Sequence, residues 1–124
     1  MASILIIDDD NSSRTLLRQI LETAGHAVVE AEDGVKGIAL YRQQPTDLLI
    51  VDIMMPVKDG MTVINDITRD DPQAKIIVVT GGGQRGQAEF FCDASRILGA
   101  KRTFLKPIDP AEMLAAIEEL VPRR

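Results

Sequence analysis

Acidic residues follow two apolar runs of this chain at the point where each run ends. Asp8, Asp9 and Asp10 come directly after the first run, and Asp52 comes directly after the third. If the runs are neighbouring strands, these carboxylates lie together, and two like charges ~4 Å apart repel by about 4 kcal/mol at an effective dielectric near 20. A shared cation relieves that repulsion, and oxygen ligands without His or Cys favour Mg²⁺. We therefore expect Asp8, Asp9 and Asp52 to form a magnesium site.

A simpler interpretation is that these acids only form a loop and cap the helix that follows, because Asp and Asn favour such positions. We adopt it for Asp10 and Asn11. It does not explain Asp8, Asp9 and Asp52 together, because two separate runs deliver them to one predicted edge.

Two further apolar runs end in groups that bind phosphate. Thr80 and Gly81 end the fourth run, and Lys106 follows the fifth. An ammonium group binds a phosphoryl oxygen as a point charge, a hydroxyl donates a hydrogen bond to it, and a glycine leaves room for close approach to its backbone N–H. Each residue alone usually marks an ordinary strand end, so their significance depends on their meeting the acids at one edge.

The apolar runs predict five strands, because buried parallel strands are short continuous stretches of Val, Ile and Leu. The predicted strands are Ser3 to Ile7, Ala27 to Ala31, Leu48 to Val51, Lys75 to Thr80 and Arg102 to Leu105.

Patterns with a 3.6-residue period predict five helices. The first has the apolar stripe Leu17, Ile20, Leu21 and Ala24 before a left-handed stop at Gly25. The next three run from Asp33-Gly34 to about Gln43, from about Met61 to Asp70, and from about Gln87 to Leu98. The fifth has Asp109 as N-cap, Pro110 and Glu112 in its first turn, and the buried stripe Met113, Ile117, Leu120 and Val121.

Five strand-helix units with right-handed crossovers predict an α/β fold of the flavodoxin-like, doubly wound type. We expect a five-stranded parallel sheet of order 2-1-3-4-5 with five helices. Strands one and three are then neighbours at a topological switch point, where ligands bind outside the carboxyl ends of the strands.

Composition limits the function. The chain has 124 residues, which indicates one domain, and one Cys, which cannot build a disulfide framework. The net charge of −5 and the 3% aromatic content argue against direct nucleic-acid binding. No apolar run is long enough to span a membrane and no signal sequence is evident, so we expect a cytoplasmic protein.

The glycine-rich segment from Gly81 to Gly86 formally matches G-x-G-x-x-G. It follows the fourth strand instead of the first, and Gln87-Ala88 stand where a P-loop needs Lys-Ser or Lys-Thr. We therefore reject a nucleotide site in favour of a flexible loop.

The motifs resemble those of the receiver domain of two-component response regulators, close to the stand-alone chemotaxis type. The resemblance spans residues 1–124 as a single receiver without an output domain. It is carried, in family order and spacing, by Asp8-Asp9, Asp52-Ile53-Met54-Met55-Pro56 with Asp59-Gly60, Thr80-Gly81 and Lys106-Pro107.

The resemblance implies a role for each matching residue. Asp52 is the expected phosphoacceptor. Asp9, Asp52 and the main-chain carbonyl of Met54 are expected to bind Mg²⁺ directly, with Asp8 reaching it through water. Lys106 and the Gly81 amide are expected to bind the phosphoryl oxygens, and Thr80 to follow the new phosphate. The Lys106-Pro107 bond is cis in the family.

The resemblance also implies the partners. The phosphoryl group comes from a sensor histidine kinase or a histidine phosphotransfer protein, and the output acts on a downstream protein in trans. The chain is then a signalling switch that assists its own phosphorylation and dephosphorylation, and not an enzyme in the ordinary sense.

One position departs from the family pattern, which commonly has Tyr or Phe three residues before the lysine. Here that residue is Thr103, and the neighbouring Phe104 should point to the opposite face of the sheet. We expect the output to run through the loop after strand four instead of through an aromatic switch.

Two other functions remain as alternatives. A small phosphohydrolase resembling the haloacid dehalogenase superfamily would use Asp8 as nucleophile, but it would leave Asp52 without a strong role. A receiver-like binding module would act without phosphate, and the presence of both Asp52 and Lys106 counts against it.

Overall fold

The computed structural model describes residues 2–53, 59–81 and 99–122. Five parallel strands form one sheet in the order β2-β1-β3-β4-β5, which confirms the predicted topology. The strands are β1 Ser3–Ile7, β2 Ala27–Ala31, β3 Leu48–Asp52, β4 Ile76–Thr80 and β5 Arg102–Leu105. They differ from the predicted bounds only in that β3 includes Asp52 and β4 begins at Ile76.

Four helices lie within the described residues: α1 Asn11–Thr23, α2 Gly34–Gln43, α3 Gly60–Asp70 and α4 Pro110–Leu120. Each follows an aspartate N-cap whose carboxylate accepts a backbone N–H of the first turn; the caps are Asp10, Asp33, Asp59 and Asp109. The helix predicted at about 87 to 98 lies outside the described residues. No helix in the described part of the chain is both long and apolar enough to cross a bilayer.

The sheet carries a hydrophobic core on each face. In β1, Leu5 and Ile7 pack with α2 and α3, whereas Ile4 and Ile6 pack with α1 and α4. The helices contribute buried residues to these two layers, among them Ile38, Val63 and Ile67 on one face and Leu17, Leu21, Met113 and Ile117 on the other. Because β1, β3 and β4 are covered on both sides, their sequences are continuous apolar runs.

Some predicted core positions are wrong, and the ends and edges of elements explain them. Ala24 is exposed because α1 ends at Thr23 and Ala24 is its C-cap, followed by Gly25 at φ 93°. Strand β2 is less buried than predicted because it lies at the sheet edge, which leaves Val29 44% exposed. Leu120 and Val121, where α4 ends, are half-buried but pack against the core as predicted.

Candidate functional site

The predicted carboxylate cluster forms at the carboxyl edge of the sheet. Strands β1 and β3 pair with Ile7 opposite Val51, so the residues that follow these two, Asp8 and Asp52, are neighbours. One carboxylate oxygen from each of Asp8, Asp9 and Asp52 lies within 4.8 Å of the others. Asp8 and Asp52 are only 1% and 4% exposed, whereas Asp9 is open to solvent.

Asp8 is fixed in position by bonds to both its backbone and its side chain. Its carboxylate accepts the Asp10 N–H at 2.9 Å, and its own N–H donates to the Ala31 carbonyl at 3.2 Å. The Arg14 guanidinium donates to the main-chain oxygen of Asp8 at 2.6 Å and forms an ion pair with Glu30 at 3.3 Å. These contacts keep the loop between β1 and α1 against the ends of the strands.

Lys106 points into the same cluster, although it is 98 residues from Asp8 in sequence. Its Nζ donates to Asp8 Oδ2 at 3.2 Å and lies 3.6 Å from Asp52 Oδ2. The Lys106-Pro107 peptide bond is cis. Burial of the ammonium group opposes its charge, but the carboxylates of Asp52 and Asp8 outweigh burial and raise the pKa of Lys106 above its ordinary value. Lys106 is therefore a permanent cation beside Asp52 at neutral pH.

Ser13 was not predicted as a site residue, yet it contacts Lys106. Its hydroxyl accepts a hydrogen bond from Lys106 Nζ at 3.1 Å and donates one to Asp10 Oδ2 at 3.0 Å. In the sequence it is one of two serines in an ordinary helical first turn, so no local pattern distinguishes it.

Thr80 and Gly81 complete the edge of the site. Thr80 is 1% exposed, and its hydroxyl donates to the Gly81 carbonyl at 3.2 Å. The Lys106 N–H donates to the Thr80 carbonyl at 2.9 Å, which ties the end of β5 to the end of β4. A Cβ placed on Gly81 would lie 3.9 Å from Lys106 Cδ, so the Gly81 backbone is close to the lysine stem.

Gly60, at the start of α3, packs directly on the backbone of the expected acceptor. A Cβ at this position would lie 2.6 Å from both the Asp52 carbonyl oxygen and Ile53 Cα. The Gly60 N–H also donates to the Ile53 carbonyl at 3.0 Å. The sequence motif Asp59-Gly60 marked this position without indicating why a glycine is required there.

The donor set fits a magnesium ion. The cluster of Asp8, Asp9 and Asp52 offers hard carboxylate oxygens, and Lys106 balances only one of their three charges. Because Asp8 and Asp52 are shielded from water, that excess negative charge favours a bound cation. The expected fourth ligand, the Met54 carbonyl, lies outside the described residues.

Strand β5 confirms the predicted side-chain directions. Thr103 is opposite Val78, whose side chain lies on the α2/α3 face, and Phe104 is opposite Val79. Phe104 packs into the core between the sheet and helices α1 and α4. Phe104 therefore cannot take the place of an aromatic residue at position 103, because its side chain lies on the opposite face of the sheet.

The sequence and the fold are both similar to those of known proteins. A family model described as the response regulator receiver domain matches residues 4–118. The chain is 35% identical to Protein CcdB of Bacillus subtilis, with 98% of each covered. It is 37% identical to Chemotaxis protein CheY of Bacillus subtilis, with 94% of each covered. A crystal structure of a CheY-like response regulator receiver domain protein from Methanospirillum hungatei has a TM-score of 0.86 at 29% identity, covering 96% of this chain and 92% of that one.

Proposed function

This chain belongs to the response regulator receiver domain family, and we propose that it carries its signal as a phosphoryl group on Asp52. The observation that supports this most strongly is the buried Asp52 carboxylate, with the Lys106 ammonium 3.6 Å away and two further acids within 4.8 Å. A carboxylate in this setting can act as a nucleophile while a fixed cation stabilises the charge that develops on the transferred group.

The proposed reaction is phosphoryl transfer from a phosphohistidine. A carboxylate oxygen of Asp52 attacks phosphorus, and the O–P bond forms as the P–N bond to the imidazole breaks. The bonding electron pair leaves with the imidazole nitrogen, which takes up a proton from solvent. The product is an acyl phosphate on Asp52 and a free histidine on a sensor histidine kinase or a histidine phosphotransfer protein.

We assign Mg²⁺ to the carboxylate cluster. Asp9, Asp52 and the Met54 carbonyl would bind it directly, and Asp8 would bind it through water. When bound, the metal ion offsets the negative charge shared by the carboxylate and the phosphoryl group. Lys106, which is 98 residues from Asp8 in sequence, supplies a second positive charge. Its ammonium group is held in place by the hydrogen bond to Asp8.

Lys106, the Gly81 amide and Thr80 are assigned to the phosphoryl oxygens. The Thr80 hydroxyl, which now donates to the Gly81 carbonyl, would turn to the phosphoryl group and move the backbone after β4. Since Thr103 replaces the usual aromatic residue, we expect the signal to leave through that backbone segment and to alter binding to a downstream protein.

The haloacid dehalogenase-like alternative is less well supported. Its nucleophile, Asp8, is 1% exposed, and its two carboxylate oxygens accept bonds from the Asp10 N–H and from Lys106. Asp52 ends β3 beside the same lysine, with its Oδ2 3.6 Å from Lys106 Nζ. With Asp8 as nucleophile, this second buried carboxylate beside the lysine would have no strong role, and we therefore favour Asp52.

The decisive experiment is labelling by a small phosphodonor. The chain is incubated with Mg²⁺ and an acyl phosphate or a phosphoramidate, and the product is analysed by intact mass and peptide mapping. A label on Asp52 is the expected result. A label on Asp8 would favour the hydrolase, and no label on the folded chain would favour a binding module that works without phosphate. Asp33→Asn is the matched control for Asp52→Asn. It makes the same substitution at a helix N-cap, which asparagine can also form, so it should be labelled like the wild type.

A further inference from the structure

We infer that Ser13 is a positioning residue for phosphoryl transfer, because its hydroxyl orients the Lys106 ammonium group toward Asp52. This inference rests on the proposed function. Ser13 lies in the first turn of α1 and contacts the lysine from a different element than either carboxylate does.

The directions of the hydrogen bonds around Ser13 are fixed by chemistry. The Lys106 ammonium can only donate, so Ser13 Oγ accepts from it at 3.1 Å. The ionised Asp10 carboxylate can only accept, so the single hydroxyl proton of Ser13 goes to Asp10 Oδ2 at 3.0 Å. The hydroxyl thus turns a lone pair toward the lysine.

Asp10 is itself held by the helix. Its other carboxylate oxygen accepts the Ser12 N–H at 3.0 Å as the N-cap of α1. The chain of bonds from the helix backbone through Asp10 and Ser13 therefore ends at Lys106 Nζ. Because each link is anchored to the start of α1, the ammonium is located relative to a rigid element as well as to the carboxylates.

Two of the three N–H groups of the Lys106 ammonium donate to acceptors on this side of the site. One goes to Asp8 at 3.2 Å and one to Ser13 at 3.1 Å. Asp52 Oδ2, at 3.6 Å, is within ion-pair distance but is too far for a normal hydrogen bond. Among the described residues, the remaining N–H is the one that can serve the ion pair with Asp52. A phosphoryl oxygen on Asp52 would accept that N–H without reorganisation of the lysine.

The first test compares three variants in the full chain. Ser13→Ala should lower the rate constant for labelling of Asp52 by a small phosphodonor about 3- to 10-fold, since one charge-assisted hydrogen bond is lost and water partly replaces it. Ser13→Thr retains a hydroxyl and should restore most of the rate. Ser12→Ala is the matched control, because Ser12 binds Asp10 through its backbone N–H, and it should label at the wild-type rate.

A double-mutant cycle separates positioning from a general loss of structure. In a Lys106→Ala background, Ser13→Ala should have no further effect on labelling, because the group that it positions is gone. Equal rates for Ser13→Ala and the wild type, failure of Ser13→Thr to rescue, or an undiminished effect in the Lys106→Ala background would each overturn the inference.

A second measurement does not depend on phosphorylation. In the unphosphorylated chain, the ¹⁵N–¹H signal of the Lys106 ammonium should broaden in Ser13→Ala and remain in Ser12→Ala, because hydrogen-bonded ammonium protons exchange more slowly with water. If the folded wild type is never labelled on Asp52, the proposed function fails, and this signal still decides whether Ser13 orients Lys106. An identical signal in wild type and Ser13→Ala refutes the orientation itself.

Discussion

Replacing Gly60 by alanine should both destabilise the chain and slow the labelling of Asp52. The added methyl group would lie 2.6 Å from the Asp52 carbonyl oxygen and 2.6 Å from Ile53 Cα. Both atoms belong to the backbone, so no side chain can rotate away, and either α3 or the end of β3 must move. A shift of either element displaces the acceptor relative to Lys106.

Two opposing effects determine how much Gly60→Ala lowers the free energy of unfolding. Overpacking against a rigid neighbour costs typically about 1 to 3 kcal/mol, and contacts with backbone atoms belong at the upper end. Alanine in place of glycine recovers up to about 1 kcal/mol of helix propensity. The net loss in the free energy of unfolding is then about 2 kcal/mol, which for a chain of this length lowers the melting temperature by about 8 °C.

The assay is thermal unfolding by circular dichroism, together with the rate of labelling by a small phosphodonor in Mg²⁺. Gly81→Ala is the stability control, because among the described residues its methyl group would meet only Lys106 Cδ, at an ordinary 3.9 Å. It should unfold within about 2 °C of the wild type, corresponding to roughly 0.5 kcal/mol. If Gly60→Ala also unfolds within that interval and is labelled at the wild-type rate, the close approach of α3 to Asp52 does not constrain the acceptor, and the reasoning is refuted.

Three other predictions concern the acceptor, the metal site and the titration of Tyr41. Asp52→Asn should abolish labelling while the melting temperature stays the same or rises, because the substitution removes the attacking oxygen and one charge from a repelling cluster; a persistent label would exclude Asp52 as the acceptor. Mg²⁺ should raise the melting temperature of the wild type by mass action on the native state, and Asp9→Ala should remove most of that increase, whereas an unchanged metal response would place Asp9 outside the metal's ligands. Tyr41 should titrate at high pH, because burial and the hydrogen bond from its hydroxyl to Asp71, at 2.8 Å, raise the pKa of Tyr41 to about 12. The folded state favours the neutral phenol of Tyr41. The stability that this phenol contributes is therefore fully present below the ordinary pKa of about 10 and is lost as the pH rises toward 12. The chain has one Tyr and no Trp, so phenolate absorbance follows Tyr41 alone, and a midpoint near 10 in the folded chain would contradict the prediction.

The fold was predictable because its signals are local and repeated. Apolar runs located all five strands, and aspartates followed by helical patterns located the starts of α1, α2 and α4. The start of α3 was predicted one residue late, at about Met61, because Asp59 was not identified as its N-cap. The parallel order then brings every carboxyl end to one edge, so the meeting of Asp8, Asp52 and Lys106 followed from topology. The predicted roles of these residues in phosphoryl transfer remain to be tested by labelling.

The unpredicted features depend on contacts between residues that are distant in sequence. The bond from Lys106 to Ser13 joins residues 93 positions apart, and it depends on the directions that two side chains take once β5 and α1 are in place. The need for glycine at position 60 likewise appears only when α3 meets the end of β3. The error at Val29 has a related cause, because a five-residue apolar pattern does not say whether a strand is central or at the edge.

The Arg14 contacts have a consequence for how the sequence tolerates change. One guanidinium joins the main chain at Asp8 to Glu30, a residue on the edge strand whose side chain is 27% exposed. By its position Glu30 belongs to the outer surface, but through Arg14 it is only one side chain removed from the acidic pocket. In a saturation-mutagenesis screen for signalling, we therefore expect substitutions at Glu30 to impair the signal as substitutions in the acidic pocket do. The solvent exposure of Glu30 alone would underestimate this sensitivity.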